Sequence, residues 1–277
     1  MAVVTFWNNN TGKIGQSHSV LAIATYMAME HNYRILLIST GYNEDVSMQA
    51  FGLRKSSKRV NFNRNMISMD TETGIESLSK LALSNRLTPD IISNYTKMIF
   101  KQRLEILSGP LGGDYNKIYE SCIDIINNAR SGYDIVFVDL NNGYEDNTTR
   151  EIINMSDIIV MNIEQKMSDL DEILRLKSEK IISNKKTLYL LNRYDRFSKY
   201  TAKNVSRYIG ERKETLTVPY NNLYAEAVEE GTLADMFLNP RIRKIDNIED
   251  KNGFFMNELR KDSEAIVYKM QELQMRV

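Results

Sequence analysis

The first 28 residues constrain the fold more than any other part of this chain. A short apolar run, Val3–Trp7, is followed by a polar turn with two glycines, Gly12 and Gly15, and then by a longer apolar run, Val20–Ala28. This order predicts a buried strand, a glycine-bearing turn and a helix. The first N–H groups of such a helix point outward and attract anions, so the turn is a candidate phosphate cradle.

The rest of the chain alternates short apolar runs with longer helical patterns, which is typical of parallel βαβ units. Further strands are predicted at 34–39, 104–107, 134–140, 158–162, 187–191 and 215–218. Helices are predicted near 74–83, 89–101, 118–129, 168–182 and 199–209, and a polar, less regular segment runs over 40–65. We therefore predict an α/β fold: a doubly wound, mainly parallel sheet with helices on both faces.

The length of 277 residues fits one large domain, which we place at residues 1–240, with a C-terminal helical extension at 241–277. Apolar residues in that extension recur at helical spacing, at Phe255, Leu259 and Ile266, and predict an amphipathic helix. We expect the helix to pack on the same domain. The alternative of a membrane-surface or partner-binding helix is weaker because its polar face mixes acidic and basic residues.

Composition narrows the function classes. Lys plus Arg and Asp plus Glu number 36 each, so no overall charge favours nucleic acid or an anionic membrane. The single Cys122 excludes an intrachain disulfide and fits a reducing compartment. Two histidines and one cysteine argue against zinc. With no apolar stretch long enough to span a bilayer, we expect a cytoplasmic protein that associates with a membrane only peripherally.

The glycine turn departs from an intact Walker A loop. In such a loop a lysine neutralises phosphate oxygens and the next Ser or Thr hydroxyl holds magnesium. Here the hydroxyl is present as Ser17, but the lysine position reads Gln16. Asp139 ends a highly apolar predicted strand, where a Walker B aspartate reaches magnesium or its water shell. The structural alternatives are a plain tight turn and a polar strand-end residue.

Four segments carry a resemblance to a known family. They are Val4–Ala28, Tyr133–Asp139, Asn192–Asp195, and Val218–Asn221 followed by Glu226, Ala227 and Gly231. In this order the chain, to about residue 237, resembles the MinD/ParA family of deviant Walker (SIMIBI) P-loop ATPases. Within that family it is similar to the TadZ/CpaE-like branch associated with Tad pilus assembly. The resemblance implies a homodimer, and protein partners in a pilus or secretion assembly.

The resemblance also implies a site for ATP or ADP with Mg²⁺. The implied phosphate-binding residues are Thr11, Gly12, Lys13, Ile14, Gly15, Gln16, Ser17 and His18. Ser17 would ligate magnesium, and Asp139 would be a direct ligand or hold its water shell. The implied base-binding residues are Asn192, Arg193, Pro219 and Tyr220. A strand-end cap is the alternative for Asn192, and an ordinary turn is the alternative for Pro219 and Tyr220.

Three departures from the family bear on catalysis. The family's signature lysine, which reaches the partner's nucleotide across the dimer, aligns with Thr11, and its Walker lysine aligns with Gln16. The aspartate that positions the attacking water aligns near Ser39 and Thr40. Replacements are conceivable in Lys13 and in the nearby residues Asn43, Glu44 and Asp45.

Three hypotheses follow from these departures. The first, which we favour, is a pseudo-ATPase scaffold that binds a nucleotide without hydrolysing it, and we assign it no catalytic residue. The second is an active partition or cell-division ATPase that uses the replacement residues. The third is a nucleotide-free interaction domain. Fold alone cannot choose among them.

Overall fold

The computed structural model describes residues 1–9, 15–41, 46–53, 74–182, 186–243 and 247–274. The strands in these ranges are β1 (Ala2–Trp7), β2 (Ile35–Ser39), β3 (Lys97–Phe100), β4 (Leu104–Leu107), β5 (Ile135–Leu140), β6 (Ile158–Ile163), β7 (Thr187–Tyr194) and β8 (Leu216–Pro219). The helices are α1 (Gln16–Glu30), α2 (Val46–Ala50), α3 (Ile75–Leu83), α4 (Pro89–Ile92), α5 (Tyr115–Ala129), α6 (Asn147–Met155), α7 (Met167–Ser178), α8 (Ala202–Tyr208), α9 (Asn222–Glu230), α10 (Leu233–Leu238), α11 (Pro240–Arg243) and α12 (Lys251–Gln274).

The strands form one sheet in the order β3-β4-β2-β5-β1-β6-β7-β8. Neighbouring strands are parallel except for the antiparallel pair β3 and β4. On one side of β1 the sheet continues with β5, β2, β4 and β3, and on the other side with β6, β7 and β8. The doubly wound, mainly parallel sheet is thus confirmed. Its topological switch point, where ligands of such sheets bind, lies at the carboxyl end of β1.

Helices cover both faces of the sheet, as its apolar strands require. Side chains alternate along β1, so Val4 and Phe6 belong to a core that includes α1, α9, α10 and α12. Val3 and Trp7 belong to the opposite core, with α3, α5, α6, α7 and α8. Every residue of β1 is buried, which holds the carboxyl end of this strand in a fixed position.

The C-terminal amphipathic helix is present as α12. Phe255, Leu259 and Ile266 are buried in the core that contains α1, and α12 lies along the edge strand β8. A buried carboxylate oxygen of Asp262 accepts a hydrogen bond of 3.2 Å from the Thr217 backbone N–H. The helix therefore supplies a hydrogen-bond acceptor to a backbone N–H of the edge strand β8. The domain boundary at residue 240 stays a prediction.

One predicted helix is wrong over most of its length. The pattern at 89–101 predicted a continuous helix, but α4 ends at Ile92 and the chain turns into β3. The Thr96 hydroxyl donates to the buried Glu105 carboxylate at 2.8 Å, and β3 pairs antiparallel with the edge of β4 that faces away from β2. A long-range strand partner and a buried carboxylate outweigh the local helical pattern, which a single sequence does not reveal.

Two helices that the sequence analysis did not identify begin at side-chain caps. Asp146 accepts a hydrogen bond of 2.9 Å from the Thr149 N–H at the start of α6. Asn221 accepts one of 2.8 Å from the Tyr224 N–H at the start of α9. An Asx residue three positions before its donor is the signal that could have located both. Within the described ranges, no helix is long and apolar enough to cross a membrane.

The buried carboxyl group of Asp262 generates a pH dependence of stability. Burial raises its pKa well above the ordinary value, despite the hydrogen bond from the Thr217 backbone. The folded state therefore keeps a proton that the unfolded chain releases above about pH 4. As the pH rises further, this group lowers the free energy of unfolding by up to about 1.4 kcal/mol per pH unit.

We predict that Asp262→Asn removes this pH dependence. The free energies of unfolding of parent and variant should be similar near pH 4, and the variant should become the more stable protein as the pH rises to 8. Urea denaturation across this range measures both, with the exposed Asp124→Asn on α5 as the control. Parallel pH profiles for the parent and Asp262→Asn would contradict the prediction.

Candidate functional site

The candidate site lies where β1 ends and α1 begins. Gly15 is the residue before α1 and has a left-handed backbone, with φ of 83°. An added Cβ would lie 3.1 Å from Nε of Arg193, so both the backbone and the space favour glycine. The predicted phosphate-binding residues Thr11, Gly12, Lys13 and Ile14 lie outside the described residues.

Gln16, at the Walker lysine position, is the first residue of α1 and is buried. Its side-chain nitrogen donates to Asp139 Oδ1 at 2.7 Å, to the Leu140 carbonyl at 3.0 Å and to the Phe6 carbonyl at 3.2 Å. An amide nitrogen carries two hydrogens, so these three acceptors within the protein occupy its full donor capacity. Gln16 joins the ends of β1 and β5 rather than pointing to a ligand.

Ser17 and Asp139, the predicted magnesium residues, line one small cavity. Ser39 and Ser47 also line the cavity. Its volume is about 10 Å³, which is close to the space that one water molecule needs. Asp139 is buried at the end of β5. Among the described residues, no group of three or more His, Cys, Asp or Glu side chains could hold a metal. A cation here would be coordinated by the Ser17 hydroxyl, the Asp139 carboxylate and oxygen atoms of a bound ligand.

The end of β2 carries the hydroxyls of Ser39 and Thr40, where the resemblance to MinD/ParA ATPases would imply an aspartate. The Thr40 hydroxyl donates to the Asp139 carbonyl at 2.9 Å and accepts a hydrogen bond of 3.2 Å from the Asn141 N–H. Thr40 thus links the ends of β2 and β5 and offers no carboxylate to a water. The conceivable substitutes Asn43, Glu44 and Asp45 lie outside the part of the chain that the structure describes.

Asn192 ends the buried part of β7. It is 2% exposed, and neither its amide oxygen nor its amide nitrogen has a hydrogen-bond partner among the described residues. Within this part of the chain its side chain caps no strand end. Tyr189 and Leu191 face one core and Leu190 the other, so alternation places Asn192 on the face of the sheet that carries α1.

The predicted base-binding residues lie at the ends of the two neighbouring strands β7 and β8. Arg193 follows Asn192 directly, with a left-handed φ of 50°, and lies against Gly15. Pro219 pairs with Tyr194 in the sheet. Tyr220 is 62% exposed, and its N–H donates to the Tyr194 carbonyl at 3.3 Å. The structure places Arg193 beside Gly15, the residue before α1, and leaves the Tyr220 ring exposed to solvent.

His18 packs into the site from the first turn of α1. Burial lowers the pKa of its imidazole, and the positive charge of Arg193 lowers it further, so the ring is neutral at pH 7. The Tyr224 hydroxyl on α9 donates to the His18 carbonyl at 2.6 Å. Sequence reasoning missed this link, because residues 206 positions apart carry no local signal of contact.

Comparisons with known proteins identify which solved structures share this fold. No protein-family model matches the chain, and no curated protein matches its sequence. Solved structures do match. A ParA family ATPase from Chlorobium tepidum TLS is similar with a TM-score of 0.67 at 18% identity, over 92% of this chain and 96% of that chain. The chain has the fold of the ParA and MinD ATPases.

Two further solved structures contain nucleotides. The septum site-determining protein MinD from Pyrococcus horikoshii OT3, complexed with Mg-ADP, has a TM-score of 0.62 at 14% identity, over 96% of this chain and 97% of that one. A putative plasmid partition protein from Borrelia burgdorferi B31, bound to AMPPNP, has a TM-score of 0.59 at 14% identity, over 99% and 98%. Identities this low establish the shared fold, which confirms the P-loop NTPase-like architecture predicted from the sequence.

We predict that Gln16 is needed for stability. Gln16→Leu should lower the free energy of unfolding by about 1–3 kcal/mol, since it leaves buried acceptors without their donor. Gln16→Glu should lower it further, because it puts a second carboxylate against Asp139. Urea denaturation at pH 7 measures both changes.

The matched control for this prediction is Gln49→Glu, which alters an exposed glutamine. Its side chain donates to the Glu229 carbonyl at 3.4 Å. If Gln16→Glu were no more destabilising than this control, the amide of Gln16 would not hold the two strands together.

Proposed function

We propose that this protein is a catalytically impaired nucleotide-binding scaffold of the MinD/ParA type. It would bind ATP or ADP, with Mg²⁺, at the start of α1 and hydrolyse ATP very slowly. The observation that carries the proposal is the amide of Gln16, which stands at the Walker lysine position and is bonded to three acceptors of the protein itself.

Nucleotide binding is supported by the groups that remain at the site. The first N–H groups of a helix have no partners within the helix and attract phosphate. The Ser17 hydroxyl and the Asp139 carboxylate share a cavity and would hold Mg²⁺, which would supply positive charge to phosphate oxygens. The amide of Asn192, which has no partner among the described residues, offers a donor and an acceptor to the edge of a base.

Slow hydrolysis is supported by the lack, among the described residues, of a cation at position 16 and of a carboxylate at the end of β2. Phosphoryl transfer depends on positioning and on cations that stabilise the developing charge, and one such cation contributes about 10³–10⁵ in rate. Gln16 brings no charge, and Thr40 brings a hydroxyl already bonded to β5. No carboxylate of the described β2 end orients a water.

The wider role rests on the sequence resemblance to the TadZ/CpaE-like branch. We propose that the protein acts as a homodimer that localises or organises a Tad-type pilus or secretion assembly. It would work in the cytoplasm, with only peripheral contact to the membrane. An active partition ATPase and a nucleotide-free interaction domain remain the alternative outcomes of the experiment below.

The deciding experiment combines calorimetric titration with a turnover assay. We expect the purified chain to bind ADP and ATP and to release phosphate far more slowly than MinD-type ATPases assayed in parallel. Turnover at rates like those ATPases would establish the active-enzyme alternative. Absence of binding to either nucleotide, with or without magnesium, would establish the nucleotide-free alternative.

We predict that Ser17→Ala abolishes the magnesium dependence of nucleotide binding. The parent should bind ATP more tightly with Mg²⁺ than with EDTA, because the hydroxyl helps to hold the ion. The variant should give the same affinity under both conditions. Ser19→Ala, a buried serine on the same helix, is the control and should keep the dependence. Equal magnesium effects in all three proteins would refute the assignment of Ser17.

We also predict that Asn192→Ala weakens binding of the base. The affinity for ADP should fall by about 1–3 kcal/mol, the cost of losing hydrogen bonds at a buried polar position. The affinity for inorganic tripolyphosphate, which has no base, should stay unchanged. Calorimetry with both compounds separates the two effects. An equal loss for tripolyphosphate would show that the substitution disturbs the phosphate turn.

A further inference from the structure

The start of α1 gathers positive charge that nothing in its first turn balances. The aligned peptide dipoles of a helix place roughly half a positive charge at its N-terminus. Acidic side chains usually occupy the first turn and offset this charge, but the first turn of α1 has none. The acidic residue that shares the Ser17 cavity, Asp139, already accepts a hydrogen bond from Gln16.

Arg193 adds a full positive charge at the same point. Its side chain reaches back over the turn, so that Nε lies 3.1 Å and Cγ 3.4 Å from the position of a Cβ on Gly15. Burial lowers the pKa of His18, and the positive charge of Arg193 lowers it further. A cation beside a helix N-terminus is unfavourable in the absence of an anion.

The backbone of Arg193 is held in a conformation that suits this placement. Its φ of 50° lies in the left-handed region, which non-glycine residues seldom adopt. No salt bridge joins the guanidinium to a carboxylate within the described ranges. The arrangement keeps a cation beside Gly15 with no carboxylate partner among the described residues.

A second, independent observation points to a ligand here. The neighbouring Asn192 is 2% exposed and lies on the α1 face of the sheet, and neither polar atom of its amide has a partner within the ranges that the structure describes. Buried polar groups without partners are rare in folded proteins, because each costs about 1–3 kcal/mol. An anion at Gly15 that carries a hydrogen-bonding group toward β7 would satisfy both residues.

We propose that the guanidinium of Arg193 is the cation that pairs with the phosphate chain of a nucleoside di- or triphosphate, in place of the lysine missing at position 16. This inference rests on the proposed nucleotide site. It changes the role of Arg193 from base binding, which the family resemblance implies, to phosphate binding. A planar guanidinium suits this role, since it can make two parallel hydrogen bonds to phosphate oxygens.

The test compares ADP, adenosine and inorganic tripolyphosphate by calorimetry on the parent, Arg193→Gln and Arg193→Lys. Arg193→Gln should weaken binding of ADP and tripolyphosphate about ten-fold or more, the usual loss for a hydrogen bond to a charged group. Its affinity for adenosine should stay within about two-fold. Arg193→Lys keeps the charge and should recover part of the loss. Circular dichroism and the melting temperature verify that each variant is folded.

The control is Arg207→Gln, an exposed arginine of α8, a helix that packs on the opposite face of the sheet from α1. It should bind all three compounds like the parent. An equal loss of adenosine and ADP affinity in Arg193→Gln would overturn the inference and show that Arg193 stacks on the base. Unchanged ADP affinity would overturn it as well. If the parent itself binds none of the three compounds, the proposed nucleotide site fails, and this inference with it.

Discussion

The amide of Gln16 is the interaction on which the site depends. It ties the first residue of α1 to the ends of β1 and β5, through the Phe6 and Leu140 carbonyls and the Asp139 carboxylate. A lysine at this position would bring a charge that needs phosphate or carboxylate as its counterpart. Glutamine needs only neutral carbonyls and one carboxylate, all of which the protein supplies. Gln16 therefore joins helix and sheet without placing a positive charge at the start of α1.

The position of the remaining site groups follows from that junction. Because β1 lies between β5 and β6 and is buried on both faces, its carboxyl end is placed next to Asp139, which pairs with Phe6. The start of α1 is fixed in turn, and Gly15 brings the turn close enough to β7 for Arg193 to lie over it. The fold of the ParA and MinD ATPases is thus combined with an uncharged Gln16 at the start of α1 and with Arg193 beside Gly15.

Much of the fold could be predicted because its strands are short and almost entirely apolar. Residues 134–140 and 158–162 read as buried strands without any knowledge of their neighbours. The helical patterns between other strands of the chain are typical of parallel βαβ units. The prediction failed at 89–101, where the strand β3 forms only because β4 has a free edge. It also missed α6 and α9, whose caps Asp146 and Asn221 are single residues in polar surroundings.

The sequence by itself determined that a glycine turn follows the first strand, that glutamine stands at the Walker lysine position, and that Ser17 comes next. It also showed that Asp139 and Asn192 lie at the ends of predicted strands. These are local facts of residue type and order. Only the tertiary structure decided what the side chains contact. It showed that the Gln16 amide is bonded within the protein and that Arg193 reaches Gly15. It also showed that Asn192 is buried with no partner in the described part of the chain. The reason is physical: hydrogen-bond saturation and charge balance depend on distances between residues far apart in the chain, which the sequence does not contain.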